Sequence, residues 1–233
     1  MVTNEINTID VGSFQQLESL EQLTLTNHVI SSLKNGTFSG LKKLQHLLIG
    51  TGELESFESG VFHDLNNLQS LRLSKNYLTE LPNGMFQGTS SLKFLFLDNN
   101  VLTSITDSSF DGLHLTTLDF TNNFISTIQI KNTGGILSSS TVDLTNNPLE
   151  CDCNLTAFHW LVKYYAQQVK VVNARCTGTE SLIQNSDMLF VDCTAQENSL
   201  LFNRAVVSHH HLRVVQMMIT FYSCIFLSTT GLV

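Results

Sequence analysis

Residues 68–91 read LQSLRLSKNYLTELPNGMFQGTSS, and residues 92–114 read LKFLFLDNNVLTSITDSSFDGLH. The two stretches fit one template. Leu68, Leu71, Leu73, Asn76, Leu78, Leu81 and Phe86 of the first correspond to Leu92, Leu95, Leu97, Asn100, Leu102, Ile105 and Phe110 of the second, with Leu113 closing it. Working outward, the same unit starts at Leu20 and Leu44, in steps of 24 residues. A fifth copy arrives one residue early as Leu115, Leu118, Phe120, Asn123, Ile125 and Ile128, and a partial one keeps Val142, Leu144, Asn147 and Leu149. Self-similarity at a fixed period marks a repeat architecture, in which each copy buries its apolar face only against its neighbours.

The leucines that alternate with other residues have the two-residue period of a strand. Each unit therefore contributes one short strand to a shared parallel sheet, with Leu71 and Leu73, or Leu95 and Leu97, pointing inward. Asn76, Asn100, Asn123 and Asn147 fall at the bend after each strand. A buried amide there can bond backbone groups that have just left the sheet. Phe14, Phe38, Phe62, Phe86 and Phe110 also recur every 24 residues and are expected to stack as an aromatic spine under the opposite side. Two departures stand out. His28 and Gly52 take the asparagine position, so the amide ladder should break in the first two complete units. Thr133, followed by Gly134 and Gly135, replaces the spine phenylalanine of the fifth unit, whose outer side should be looser.

Over residues 4–150 this pattern resembles the leucine-rich repeat, in the 24-residue form typical of extracellular proteins. The resemblance implies an α/β solenoid: a horseshoe with a parallel β-sheet on the concave face and a mostly irregular convex side. Asn4, Ile6, Ile9, Phe14 and Leu17 form the second half of a unit, so residues 1–19 are a partial repeat and 20–146 the repeats proper. No charged-then-apolar leader precedes that half-unit, and no cysteine cap covers its edge. An uncapped solenoid exposes an apolar end and an open sheet edge. The expectation is a piece of a longer protein, with a chain that lives uncapped as the alternative.

Four of the five cysteines follow the last repeat. The run Asn147-Pro148-Leu149-Glu150-Cys151-Asp152-Cys153-Asn154-Leu155, followed by His159-Trp160-Leu161, resembles the cysteine-rich C-terminal cap of extracellular leucine-rich repeat proteins. A cap over 147–193 is thus expected. Four cysteines allow three pairings, and spacing does not choose among them. The family's pairing implies Cys151–Cys176 and Cys153–Cys193. The family's proline soon after the third cysteine is absent, Thr177-Gly178-Thr179 standing there instead. Zinc is the competing use of these thiols, but a lone C-x-C lacks the paired ligand spacing such sites use. Disulfides persist in oxidising compartments, so the protein is expected on the extracellular side of the plasma membrane or secreted. Two glycosylation sequons agree with this, at Asn35 and Asn154.

Beyond the cap, residues 194–213 read as a stalk and 214–233 as an apolar tail without any charge. A helix of that length spans about 30 Å, enough to cross a bilayer core. No Lys or Arg follows it, while Arg204, Arg213 and His209 to His211 precede it, against the positive-inside tendency. Three readings stand open: a transmembrane helix whose cytoplasmic sequence is missing, the signal tail of a lipid anchor, and a tail with no membrane role.

Composition narrows the function. Among 233 residues there are 35 leucines, 42% apolar residues, only 14% charged ones and a net charge of −8. That is enough apolar surface for a core, and it argues against nucleic acid, whose phosphates need clustered positive charge. No catalytic or metal-binding signature is present, so no enzyme, metal or cofactor is expected. The concave face should instead bind. Between the strand leucines, one column reads Thr24, Leu48, Arg72, Phe96, Asp119, Asp143, and the column two residues earlier reads Gln22, His46, Ser70, Phe94, Thr117, Thr141. Phe94 and Phe96, with His46, Leu48 and Arg72 beside them and Asp98, Asp119 and Asp143 as an acidic rim, form the candidate ligand-binding patch. Aromatic residues and arginine are the types enriched at binding hot spots. The resemblance extends to toll-like receptors, variable lymphocyte receptors and neuronal adhesion proteins. It implies a recognition module for a protein or glycan, part of a cell-surface receptor or adhesion protein. The alternative is a secreted matrix or guidance protein fragment of the Slit or peroxidasin kind.

Overall fold

The computed structural model describes residues 6–129, 141–152, 155, 158, 159, 162 and 170–178. The chain divides into two units, Met1–Cys193 and Thr194–Val233, and all of the second lies outside the described residues. So do Thr133 with its two glycines, Cys153, Asn154, Cys193, the stalk and the apolar tail. No helix among the described residues is long and apolar enough to cross a membrane.

Among the described residues, seven strands form one parallel sheet. They are β1 (Gln22–Thr26), β3 (His46–Gly50), β5 (Ser70–Arg72), β6 (Phe94–Phe96), β8 (Thr117–Asp119), β10 (Thr141–Asp143) and β11 (Lys170–Val172). The register follows the repeat: Gln22 pairs with His46, His46 with Ser70, Ser70 with Phe94, Phe94 with Thr117 and Thr117 with Thr141. The sequence period has become spatial register. β11 carries no repeat signature and still adds to the sheet beside β10, with Thr141 opposite Lys170.

Alternation across the sheet sorts the side chains. Leu47, Leu71, Leu95, Leu118 and Val142 are buried, while the residues flanking each are exposed or half-buried. At the edge, Leu23 and Leu25 of β1 are only partly buried. The outer side is mostly turns, with two short parallel pairs: β2 (Ser32–Leu33) with β4 (Ser56–Phe57), and β7 (Ser104–Thr106) with β9 (Thr127–Gln129). A 3-10 turn spans Asp107–Phe110.

The expected aromatic spine is present. Phe14, Phe38, Phe62, Phe86 and Phe110 stack in sequence, with centroids 6.1, 5.8, 6.3 and 5.9 Å apart. Neighbouring strands lie about 4.8 Å apart. The phenylalanine side is thus more widely spaced than the strand side, and that difference curves the solenoid with the sheet inside.

The amide ladder is equally regular. Asn100 donates from Nδ2 to the carbonyls of Leu73 and Leu97, 3.0 Å each, and its Oδ1 accepts the Leu78 N–H at 3.2 Å. Asn76, Asn123 and Asn147 repeat the arrangement one unit away in turn. Each asparagine thereby ties its own bend to the preceding repeat. The residue before each ladder position is left-handed: Asn27, Thr51, Lys75, Asn99, Asn122 and Asn146 all have φ between 52° and 59°. Asparagine tolerates that conformation, whereas a β-branched residue such as Thr51 is strained in it.

In the cap, Cys151 is bonded to Cys176, with Cα atoms 5.4 Å apart, which removes both from any zinc site. Leu149 bridges Cys176 in parallel, and Leu155, Phe158, Val162 and Ala174 extend the apolar core over the end of the repeats.

Candidate binding surface

The register brings the two sequence columns together as rows on the concave face. Phe94 lies between Ser70 and Thr117, and Phe96 between Arg72 and Asp119. His46 and Leu48 sit one strand beyond, opposite Ser70 and Arg72. Phe94 is 40% exposed and Phe96 half-buried. The difference has a cause: the Arg72 guanidinium lies 3.9 Å above the Phe96 ring centroid. A cation placed over an aromatic face is held by the ring quadrupole. Arg72, placed by the sequence in the patch beside the two phenylalanines, also covers its cross-strand neighbour.

The acidic rim is partly committed to the fold. Asp119 accepts the Thr121 N–H at 2.9 Å, and Asp143 accepts the Thr145 N–H at 2.9 Å together with the Thr145 hydroxyl. Asp98 accepts from the Ser74 hydroxyl and, at 2.7 Å, from Asn99 Nδ2. The bonds of Asp119 and Asp143 to the N–H two residues on are those of Asx turns and bend the chain away from the strand ends, whereas Asp98 is held by side chains alone. They tie up part of each carboxylate's capacity and leave the remaining oxygen lone pairs for solvent or a partner.

A second surface runs along the flank where the chain leaves the sheet, and the sequence reading missed it. The residue after each ladder position is Val29, Glu53, Tyr77, Val101, Phe124 or Pro148. Val29, Tyr77 and Phe124 are 42%, 55% and 60% exposed, Val101 is half-buried, and Glu53 and Pro148 are exposed. A 24-residue comparison of exposed positions, and not only of leucines, would have found the row.

The row dips at the second complete unit. The buried His28 imidazole occupies the first ladder position, accepting the Ile30 N–H at Nδ1 over 3.3 Å. Gly52 lies against the ring so closely that a Cβ there would sit 2.2 Å from it. The missing side chain is what makes room for the imidazole. Burial lowers the His28 pKa, with nearby Glu53 opposing that shift. Above this floor lies a shallow cavity of about 640 Å³ that Glu53 lines, with Val29 and Tyr77 on either side and Lys75 also in its wall. Among the described residues, no three His, Cys, Asp or Glu side chains gather to hold a metal ion.

The leucine-rich repeat region of BspA type matches residues 3–133 in six copies. The chain belongs to the leucine-rich repeat family. No curated protein sequence matches the chain significantly. Its fold is similar to a chain of the Drosophila Toll–Spatzle complex, with a TM-score of 0.59 and 21% identity over 78% of this chain. It is also similar to a chain of the complex of Latrophilin 3, Unc5D and FLRT2, with a TM-score of 0.64 and 23% identity over 79% of this chain. This leucine-rich repeat chain spans 30% of the former chain and 64% of the latter. At these identities the likeness is one of fold.

On the outer side, Asn35 of the first sequon is exposed, and its N–H donates to Glu58 Oε2 at 3.0 Å, while Thr37 is buried.

Proposed function

We propose that this leucine-rich repeat chain is a non-catalytic extracellular recognition module that binds a protein ligand on its concave face. Its setting is a cell-surface receptor or adhesion protein. One observation carries the reading: Phe94, Phe96 and Arg72 are contiguous on adjacent strands of a solvated sheet face. Residues that only decorate a surface rarely gather two aromatics and an arginine, the types that dominate binding energies. The disulfide Cys151–Cys176 and the exposed Asn35 sequon support an oxidising, extracellular setting. The Toll–Spatzle and Latrophilin 3–Unc5D–FLRT2 complexes support a protein ligand, because both are assemblies of a related fold with other proteins.

A displayed collection of extracellular protein domains, enriched on the wild-type chain, tests the proposal. Each binder is then measured against Phe94→Ala and Phe96→Ala at matched folded fraction. Losses above about 1–2 kcal/mol in both variants are expected for a hot spot. Full affinity in both would move the site off the concave face.

A further inference from the structure

We infer that the flank row of Val29, Glu53, Tyr77, Val101 and Phe124 is a second docking surface, and that it fits an amphipathic helix carrying a lysine or arginine in its apolar stripe. The surface is distinct from the concave patch, and the two readings stand independently.

The row is continuous by construction. The N–H of Val29 donates to the Ile6 carbonyl, that of Tyr77 to Leu54, that of Val101 to Leu78 and that of Phe124 to Leu102, so these four residues are pinned to the preceding repeat in the same way. Exposed apolar side chains scattered singly need no explanation, but an aligned row does. Nothing in the repeat itself requires an apolar residue there, because the position is exposed in every copy but Val101, which is half-buried.

Spacing selects the occupant. The flank lies between the sheet, where strands repeat at about 4.8 Å, and the phenylalanine spine, which repeats at 5.8 to 6.3 Å. The pitch of an α-helix, about 5.4 Å, falls between them. A helix laid along the flank therefore offers one side chain per repeat across all five positions. An extended strand offers same-face side chains at about twice 3.4 Å and loses register within a few repeats.

Charge selects the sequence. Glu53 stands where the other positions are apolar, and it forms no salt bridge among the described residues. The cavity beside it, of about 640 Å³, has room for a long side chain between Val29 and Tyr77. A helix with apolar residues at i, i+7, i+11 and i+14 and a lysine at i+4 matches the row in order. Lys75, on the sheet side of the same cavity, favours an acid on the neighbouring edge of that helix.

The probe is a synthetic helical peptide with leucine at those four positions and lysine at i+4, compared with a twin carrying glutamate at i+4. Binding to the full chain is followed by fluorescence anisotropy. The wild type is expected to prefer the lysine peptide about tenfold or more, and Glu53→Lys to reverse the preference. Tyr77→Asp with Phe124→Asp should weaken binding at least about tenfold at an unchanged melting temperature, while Phe94→Ala should leave it unaltered. Several results would overturn the inference: no saturable binding, no charge preference, equal binding to the double variant, or loss in Phe94→Ala. Self-association of the wild type that Tyr77→Asp abolishes would give the row to a second copy instead.

Discussion

Arg72 on β5 lays its guanidinium 3.9 Å above the ring of Phe96, its register partner on β6. The contact joins two adjacent repeats on the solvated face and pre-orders the centre of the candidate patch. A double-mutant cycle of Arg72→Ala and Phe96→Ala in chemical denaturation should give a coupling of about 0.5–1 kcal/mol, the range for an exposed cation–π pair. Zero coupling would mean that the two side chains part in solution.

The in/out frame makes a sharper demand. Leu95→Ala should cost about 2–5 kcal/mol and Phe86→Ala about 3–5, because each leaves a cavity in a core shared by neighbouring repeats. Thr117→Ala, on the solvated face of β8, should stay within about 0.5 kcal/mol. Comparable losses for Thr117→Ala and Leu95→Ala in urea titrations would invert the frame.

Asn100→Ala removes a side chain that satisfies one N–H and two carbonyls in the interior. Leaving buried polar groups unsatisfied costs about 1–3 kcal/mol each, so a loss of at least about 2–3 kcal/mol is expected. Amide exchange should report it locally, as faster exchange of the Leu78 N–H. Unchanged protection at Leu78 would argue that water replaces the amide at no cost.

His28 gives the protein a pH dependence of known sign. Burial lowers its folded pKa below the ordinary 6.5. The unfolded chain then binds the proton at higher pH than the folded one, so the stability is fully present above about 6.5 and is lost as pH falls below that value. Thermal melts between pH 7.5 and 5 should show a decline that His28→Gln reduces. Gly52→Ala should destabilise at every pH, since its Cβ would overlap the imidazole ring. An identical pH profile in His28→Gln would assign the decline to other groups.

Reducing Cys151–Cys176 should cost about 2–4 kcal/mol, as expected for a disulfide whose cysteines are 25 residues apart. The cap core around Leu155 and Phe158 should loosen first. Peptide mapping without reduction tests the family's second pairing, Cys153–Cys193, at the same time. Free thiols at all four positions in secreted material would remove the disulfide cap and the compartment argument together.

The repeat frame was legible from the chain alone because every register step of the sheet is one sequence period. Leu71 and Leu95 are 24 residues apart and lie side by side, so a pattern along the chain is already a pattern across it. The buried leucines, the asparagine ladder and the stacked phenylalanines all follow from that equivalence. So does the break in the ladder at His28 and Gly52.

What needed the folded molecule are the relationships between unlike residues in different repeats. Period alone says that Arg72 and Phe96 share a column, but not that the guanidinium turns to cover the ring. It says that His28 and Gly52 each lack the amide, but not that the absent side chain of one makes room for the imidazole of the other. The chain alone shows Asp98, Asp119 and Asp143 as an acidic rim, but not the hydrogen bonds that occupy part of each carboxylate. β11 was invisible for a related reason: Lys170–Val172 has no repeat partner in sequence and joins the sheet only because the cap folds back beside β10. Periodicity determines which positions meet. Side-chain direction and burial are set by the neighbours that packing brings to each one.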